Sequence, residues 1–422
     1  MIKIFKFGGA SVKDAEGVKT LANIMLANQS DQILIVVSAM GKTTNSLENL
    51  TESYVNRKPD VHLLYDEIKQ YHENILIGLF EDRSHPVFDE IANAFIEIDW
   101  MLEDDPHPEY DFNYDQLVSV GEIVSSRIVG AYLNNLGIKT KWMDARGLIH
   151  TDNRYREGKI DLKKTRTSIQ SAAALLNDQC IITQGFIGGT TENFTTTLGR
   201  EGSDYSAAIF ASCLNAESLT IWKDVPGVLN ADPKLFDDTQ AYGHIPYIEA
   251  LEMSYYGASV IHPKTIKPLQ NAGIPLLVKP FMQPEENGTR IDGEPDFDKS
   301  FPAIIVKKEQ ILLSVRLADL SFIDEAILSQ IFTLLSSINI KINMMQLSAL
   351  SLSICFDHHE VKFKSLLKEL SDYKLRYNTG LELITIRHYT RRDIDKITAN
   401  RSILLEQLSR NTAQFILKKS IE

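Results

Sequence analysis

The sequence has 422 residues, enough for more than one domain and a substantial core. Its 44% hydrophobic and 24% charged residues are those of a globular chain, and a formal net charge of −12 argues against nucleic acid or an anionic membrane as partner. No apolar run reaches the roughly 20 residues a spanning helix needs; Lys3 and Lys6 interrupt the N-terminal apolar stretch, so it is no signal peptide, and Cys180, Cys213 and Cys355 form neither metal spacing nor a disulfide framework, so a reducing cytoplasm is expected.

From the N-terminus, Ile2–Phe7 reads as a buried strand ending in a Gly8-Gly9 turn, and a helix is expected over Ala15–Ala27. The continuous β-branched run Ile33–Val37 has the composition of a strand covered on both faces of a parallel sheet. Helical patterns fill Ser46–Met101, with breaks near Pro59 and Pro86. The acidic stretch Glu103–Asp111, with Pro106 and Pro108, reads as a loop, and Tyr114–Leu136 as the next helix. Short strands are expected at Thr140–Met143, Cys180–Thr183, Ser218–Trp222 and Pro275–Val278, with helices between several of them. This alternation predicts an α/β fold, its mainly parallel central sheet sandwiched by helices, over residues 1–290.

Residues 287–302 hold Gly288, Gly293, Pro295 and Pro302 among several acids and read as a linker. Beyond it, strands at Ile311–Arg316, Lys341–Leu347, Leu350–Phe356 and Leu381–Arg387, with helices at Ile323–Ser336 and Val361–Tyr373, follow the β-α-β-β-α-β order of a smaller ferredoxin-like α+β domain. In the tail, Ile403–Glu406 and Ala413–Leu417 are two more expected strands. The region 303–422 thus reads as one complete unit and a shortened second, with at least one helix missing.

The densest functional stretch is Thr195–Asp204. Gly199 and Gly202 bracket Arg200, and Ser203 and Asp204 precede a helix expected from Tyr205. Glycine lets backbone approach a ligand, arginine grips a carboxylate or phosphate with two parallel hydrogen bonds, and a helix N-terminus adds free N–H groups. Lys6-Phe7-Gly8-Gly9-Ala10-Ser11 has the same character, although by itself it is a glycine turn beside a lysine. Gly41-Lys42-Thr43 is not a P-loop, because that pattern needs a glycine where Val36 stands inside a strand. Ser38 and Thr44, at a strand end and a helix start, are still placed to meet a carboxylate. Glu122 is either an ammonium partner or, taken alone, a solvated helix charge. Trp222–Lys234 follows a strand, where α/β sheets bind ligands, and offers Lys223 and Lys234 to phosphate; alone it is a surface turn. His262, in an apolar setting before Pro263, reads as structural.

In this order, KFGGAS at Lys6, SVGE ending at Glu122, TQGFIG at Thr183, TTTLGREGSD at Thr195, WKDVPGVLNADP at Trp222 and YGASVIHP at Tyr256 resemble the aspartokinases of the amino acid kinase superfamily. The resemblance covers nearly the whole chain. It implies the amino acid kinase fold, a C-terminal ACT-type region for homodimerisation and end-product sensing, and phosphorylation of the L-aspartate side-chain carboxylate by MgATP, the first step toward lysine, threonine and methionine. It implies catalytic roles for Lys6, Gly8, Gly9 and Asp204, with Asp204 orienting the lysines. Aspartate binding falls to Ser38, Thr44, Glu122, Arg200 and Ser203, with Arg200 on the α-carboxylate and Glu122 on the ammonium. Nucleotide contacts fall to Lys6, Phe7, Gly8, Gly9, Lys223, Asp224, Leu229, Lys234, Ser259 and Val260. No protein ligand is assigned to Mg²⁺, which is expected on ATP oxygens and water.

Three departures from the family pattern stand out. Glu201 occupies a position that is often glycine, and Ser259 one that is often lysine, leaving Lys223 to supply the missing charge. Asn343 and Ala349 replace acidic positions that some lysine-sensitive relatives use, so weak or absent lysine inhibition is expected. The chemistry agrees: phosphoryl transfer needs positioning and charge neutralisation rather than a protein nucleophile, and a carboxylate acceptor with a pKa of about 3.9 needs no general base. The alternatives are a kinase for glutamate, acetylglutamate or a nucleotide, and a noncatalytic amino-acid sensor on the same scaffold; retention of Lys6, Arg200 and Asp204 weighs against the sensor.

Overall fold

A computed structural model describes residues 1–258, 261–319 and 321–418. The chain divides into two compact units, Met1–Val228 with Ala241–Leu251 and Val260–Phe297, and Leu229–Gln240 with Glu252–Ser259 and Asp298–Glu422. Among the described residues no helix is long and apolar enough to cross a membrane.

The elements of the first part run in the order β1 (Ile2–Phe7), α1 (Ala15–Ala27), β2 (Gln32–Val37), α2 (Thr43–Val55), α3 (Val61–Leu79), α4 (Val87–Glu103), α5 (Tyr110–Asn135), β3 (Thr140–Trp142), α6 (Leu162–Ala172), β4 (Cys180–Gln184), β5 (Ile187–Gly189), β6 (Thr195–Thr197), α7 (Gly202–Leu214), β7 (Ser218–Lys223), β8 (His244–Pro246), α8 (Tyr247–Tyr256), α9 (Pro263–Ala272), β9 (Leu276–Pro280) and β10 (Thr289–Asp292). The central sheet has the order β3-β4-β2-β1-β7-β9-β10-β8. Every neighbouring pair from β3 to β9 is parallel, and only β9–β10 is antiparallel. β5 and β6 form a separate antiparallel pair. β1 lies at the centre, and its alternate residues serve different tasks. Phe5 and Phe7 enter the core, where the Phe7 ring stacks on Trp222 at 6.0 Å between centroids, while the intervening Lys6 takes the other face.

The predicted strands and helices of this unit are present, with two corrections. The expected linker contains β10, whose Ile291 pairs with Leu276 of β9 and Ile245 of β8. Its Gly288, at φ +65°, made the approach to a strand resemble loop. Helix α5 also begins at Tyr110, inside the stretch read as loop.

The second unit carries β11 (Ala303–Arg316), α10 (Glu325–Ser337), β12 (Ile342–Leu347), β13 (Leu352–Asp357), α11 (Glu360–Glu369), β14 (Lys374–Arg387), α12 (Arg391–Thr398), β15 (Ile403–Leu408) and β16 (Thr412–Lys418). All six strands form one antiparallel sheet, β12-β13-β11-β14-β16-β15. β11 and β14 are each 14 residues long, at least twice the strands read from sequence. The polar run Lys307-Lys308-Glu309-Gln310 hid this continuity: the pairing slips register there and Glu309 adopts φ +51°. One end of the sheet closes with α10 and α11 over Ile311, Leu313 and Ile354; the other packs Ile394 of α12 onto Ile386 and Phe415. The tail therefore retains α12, which the sequence reading missed. A Thr390–Asp393 capping box starts this short, strongly polar helix.

Candidate active site

The carboxyl ends of β1, β2 and β7 and the N-terminus of α7 open onto one cavity of about 660 Å³. This is where an α/β sheet whose strand order reverses at its centre binds ligands. Lys6, Gly8, Gly9, Ser38, Thr44, Glu122, Arg200, Ser203, Asp204, Lys223 and Asp224 all line it. The two expected anion-handling motifs therefore converge, with Lys6 and Arg200 in the same cleft.

At the floor, Lys6 Nζ lies 2.6 Å from Asp204 Oδ1, and Lys223 Nζ 3.8 Å from Asp204 Oδ2. Lys6 is 7% exposed and Asp204 4%. Burial works against the Asp204 charge, but Lys6 and Lys223 outweigh it and hold the carboxyl below the usual carboxylate range. Asp204 also sits in the first turn of α7, where the helix dipole favours an anion. One carboxylate thus fixes two ammonium groups at the strand ends. Gly9 brings the following turn close: a Cβ there would stand 2.6 Å from the Ala39 carbonyl.

The opposite wall is α5, buried nearly all round. Gly121 lets α2 and α5 approach, since a Cβ there would stand 3.0 Å from both Leu47 and Thr43 side chains. The next residue, Glu122, is 2% exposed. Its Oε1 accepts the Ala39 N–H at 3.4 Å, while Oε2 is buried with no hydrogen-bond partner. Burial pushes this carboxyl up to about 8. Glu122 is therefore not the solvated charge that its local sequence permits. Seven residues earlier, Asp115 accepts from the Arg156 N–H and from both the N–H and hydroxyl of Thr197. Burial raises Asp115 to about 6 against those bonds.

Not every expected residue reaches the cavity. The Phe7 side chain is in the core. Leu229 and Lys234 belong to the segment grouped with the second unit and are not among the lining residues; Lys234 is exposed, its N–H donated to Asp232 at 2.9 Å. Ser259 and Val260 lie outside the described residues. The predicted structural role of His262 is met: it caps α9 by accepting the Lys264 N–H at 3.1 Å. Glu48, Tyr114 and Arg156 also line the cavity and were not anticipated. The Arg156 guanidinium lies 4.2 Å from the Tyr114 ring centroid and 3.6 Å from both Glu48 and Asp111. Glu201 adopts φ +54°, a left-handed conformation, which accounts for glycine suiting this position.

Residues 1–280 match the family described as the amino acid kinase family. The chain belongs to the amino acid kinase family. This amino acid kinase is 30% identical over 400 residues to lysine-sensitive aspartokinase 3 of Escherichia coli (strain K12), covering 91% of this chain and 86% of that one. It is 31% identical over 383 residues to aspartokinase 1, chloroplastic, of Arabidopsis thaliana, covering 88% and 66%. The crystal structure of E. coli aspartokinase III in complex with aspartate and ADP matches with a TM-score of 0.85 at 27% identity, over 99% of this chain and 96% of that one. The same enzyme in complex with lysine and aspartate matches with a TM-score of 0.80.

Proposed function

We propose that this amino acid kinase transfers the γ-phosphoryl group of ATP to the side-chain carboxylate of L-aspartate, giving 4-phospho-L-aspartate and ADP. The observation that carries this reading is the pairing, in one cavity, of a buried carboxylate oxygen without a partner (Glu122 Oε2) and a two-lysine cluster held by Asp204. The first suits an amino-acid ammonium; the second suits a transferring phosphoryl group. Arg200 takes the α-carboxylate, with Ser38, Thr44 and Ser203 as neighbouring donors.

An oxygen of the acceptor carboxylate attacks the γ-phosphorus, and the bond to the β–γ bridging oxygen breaks, leaving ADP. The acceptor is already ionised near neutral pH, so no proton has to be removed. Lys6 and Lys223 neutralise charge on the moving group, and Gly8 and Gly9 keep the backbone close to it. Mg²⁺ would accompany the triphosphate, held mostly by phosphate oxygens and water, and no protein side chain is assigned to it.

We further propose a cytoplasmic homodimer formed through the C-terminal region. Its two edge strands, β12 and β15, expose Leu347 and Leu408. Weak lysine sensitivity is part of the reading: Asn343 accepts from Lys307 Nζ at 2.8 Å and donates to Gln310 and Asp357, so its polar groups are already engaged.

Trapping the acyl phosphate with hydroxylamine, across a panel of acceptors, tests the assignment. Aspartate hydroxamate should dominate, Lys6→Ala should abolish it, and millimolar lysine should leave the rate within about twofold. A preference for glutamate or acetylglutamate would overturn the substrate assignment.

A further inference from the structure

Two segments at the acceptor end of the cavity are tied to α5 by a single carboxylate that does not itself line the cavity. Asp115 is fully buried. Its Oδ2 accepts the Arg156 N–H at 2.8 Å and the Thr197 N–H at 2.9 Å, and its Oδ1 accepts the Thr197 hydroxyl at 2.7 Å. Seven residues make two helical turns, so Asp115 and Glu122 project from the same face of α5.

We propose that Asp115 is a positioning residue for the amino-acid substrate, holding the segments that carry Arg156 and Arg200 at a fixed distance from Glu122. The proposal rests on the aspartate kinase reading above.

Both segments need such a tie. Arg156 has φ +66°, an unfavourable conformation for a side chain that is not glycine, and its N–H bond to Asp115 opposes relaxation. Thr197 ends β6, a three-residue strand whose pair β5 is equally short. Arg200 follows three residues later. Gln116 of α5 fastens the start of this stretch, donating to the Thr195 carbonyl at 2.9 Å and accepting the Thr195 N–H at 3.0 Å, so Asp115 is what fixes its far end, at Thr197, in register with α5. The 26-residue α5, packed in the core, is a rigid ruler by comparison. The phosphoryl end is built separately, from Lys6 on β1, Lys223 on β7 and Asp204 on α7. Loosening Asp115 therefore disturbs one substrate and spares the other.

The experiment is steady-state kinetics of the full chain with Asp115→Ala, measured against aspartate and ATP separately. Alanine removes both acceptor oxygens, whereas an amide would still accept the two N–H groups through its oxygen and donate to the Thr197 hydroxyl. KM for aspartate should rise roughly ten- to hundredfold, the size of effect expected from about an ångström of misplacement, with KM for ATP unchanged within about twofold. Thr197→Val, which removes only the hydroxyl bond, should give a smaller rise in the same parameter, and Thr197→Ser should restore it. These two variants decide the matter if Asp115→Ala does not fold. Equal changes in both KM values, or none in either, would overturn the positioning role. A wild-type protein that forms no aspartate hydroxamate would instead remove the underlying reading.

Discussion

Aspartate binding should expel a proton, and the size of the effect follows from Glu122. Burial pushes this carboxyl up to about 8, against the Ala39 N–H and the charge of Lys6. At pH 7 the free protein then holds Glu122 about nine-tenths protonated. A substrate ammonium needs the ionised form, so each aspartate bound at pH 7 releases about 0.9 proton. Only about a tenth of the protein is competent at that pH, and about a hundredth at pH 6, so KM for aspartate should rise about tenfold between them. Calorimetry in two buffers of different ionisation enthalpy counts the proton directly. The same shift bears on stability. Glu122 has a folded pKa raised from 4.5 to about 8, so its contribution is full below pH 4.5 and is lost as pH rises toward 8, by several kcal/mol on the scale of about 1.4 kcal/mol per pH unit. Glu122→Gln should therefore be more stable than wild type at pH 8 while losing aspartate binding. Buffer-independent heats at pH 7, together with a KM that does not change between pH 6 and 7, would refute the reasoning.

Lys223→Ala should lower kcat by about a hundredfold, the usual loss on removing one charge-stabilising donor, with KM for aspartate within about threefold; a near-normal rate would leave Lys223 without the role Ser259 opens for it. Glu201→Gly should raise the melting temperature by a few degrees, because it relieves a φ of +54° and removes a buried carboxylate oxygen that has no hydrogen-bond partner; an unchanged or lower midpoint in a thermal scan would contradict this. His72 is buried beside Thr43, and burial drives its ring down to about 4. Its folded pKa lies below the unfolded 6.5, so its contribution is present above pH 6.5 and is lost as pH falls through 4. Urea titrations at pH 7 and pH 4.5 should show a smaller acid loss for His72→Gln than for wild type, and equal losses would remove His72 as the cause.

The catalytic unit was legible wherever local pattern and tertiary role coincide. Ile33–Val37 is apolar at every position because both faces of β2 are covered, and the glycines flanking Arg200 announce a turn that the fold then uses as one. The second unit was less legible because its long strands are interrupted by charge. Lys307 to Gln310 reads as a break, yet β11 continues through it by slipping one register. The harder reading lies in α5. The sequence reading does not single out Asp115, and Glu122 taken alone looks like a solvent-facing helix charge, since acids are rarely buried. The surrounding residues carried a contrary signal. From Leu117 to Leu133 apolar and small residues, with Arg127 the one cation, surround Glu122 and leave it no wet side to reach, and Asp115 just ahead of that stretch is buried with Asn113 and Tyr114. A carboxylate in that position must be partnered by backbone, by a hydroxyl or by a ligand. Asp115 takes the first two and Glu122 leaves one oxygen open, in keeping with the fastening proposed for the one and the substrate capture proposed for the other.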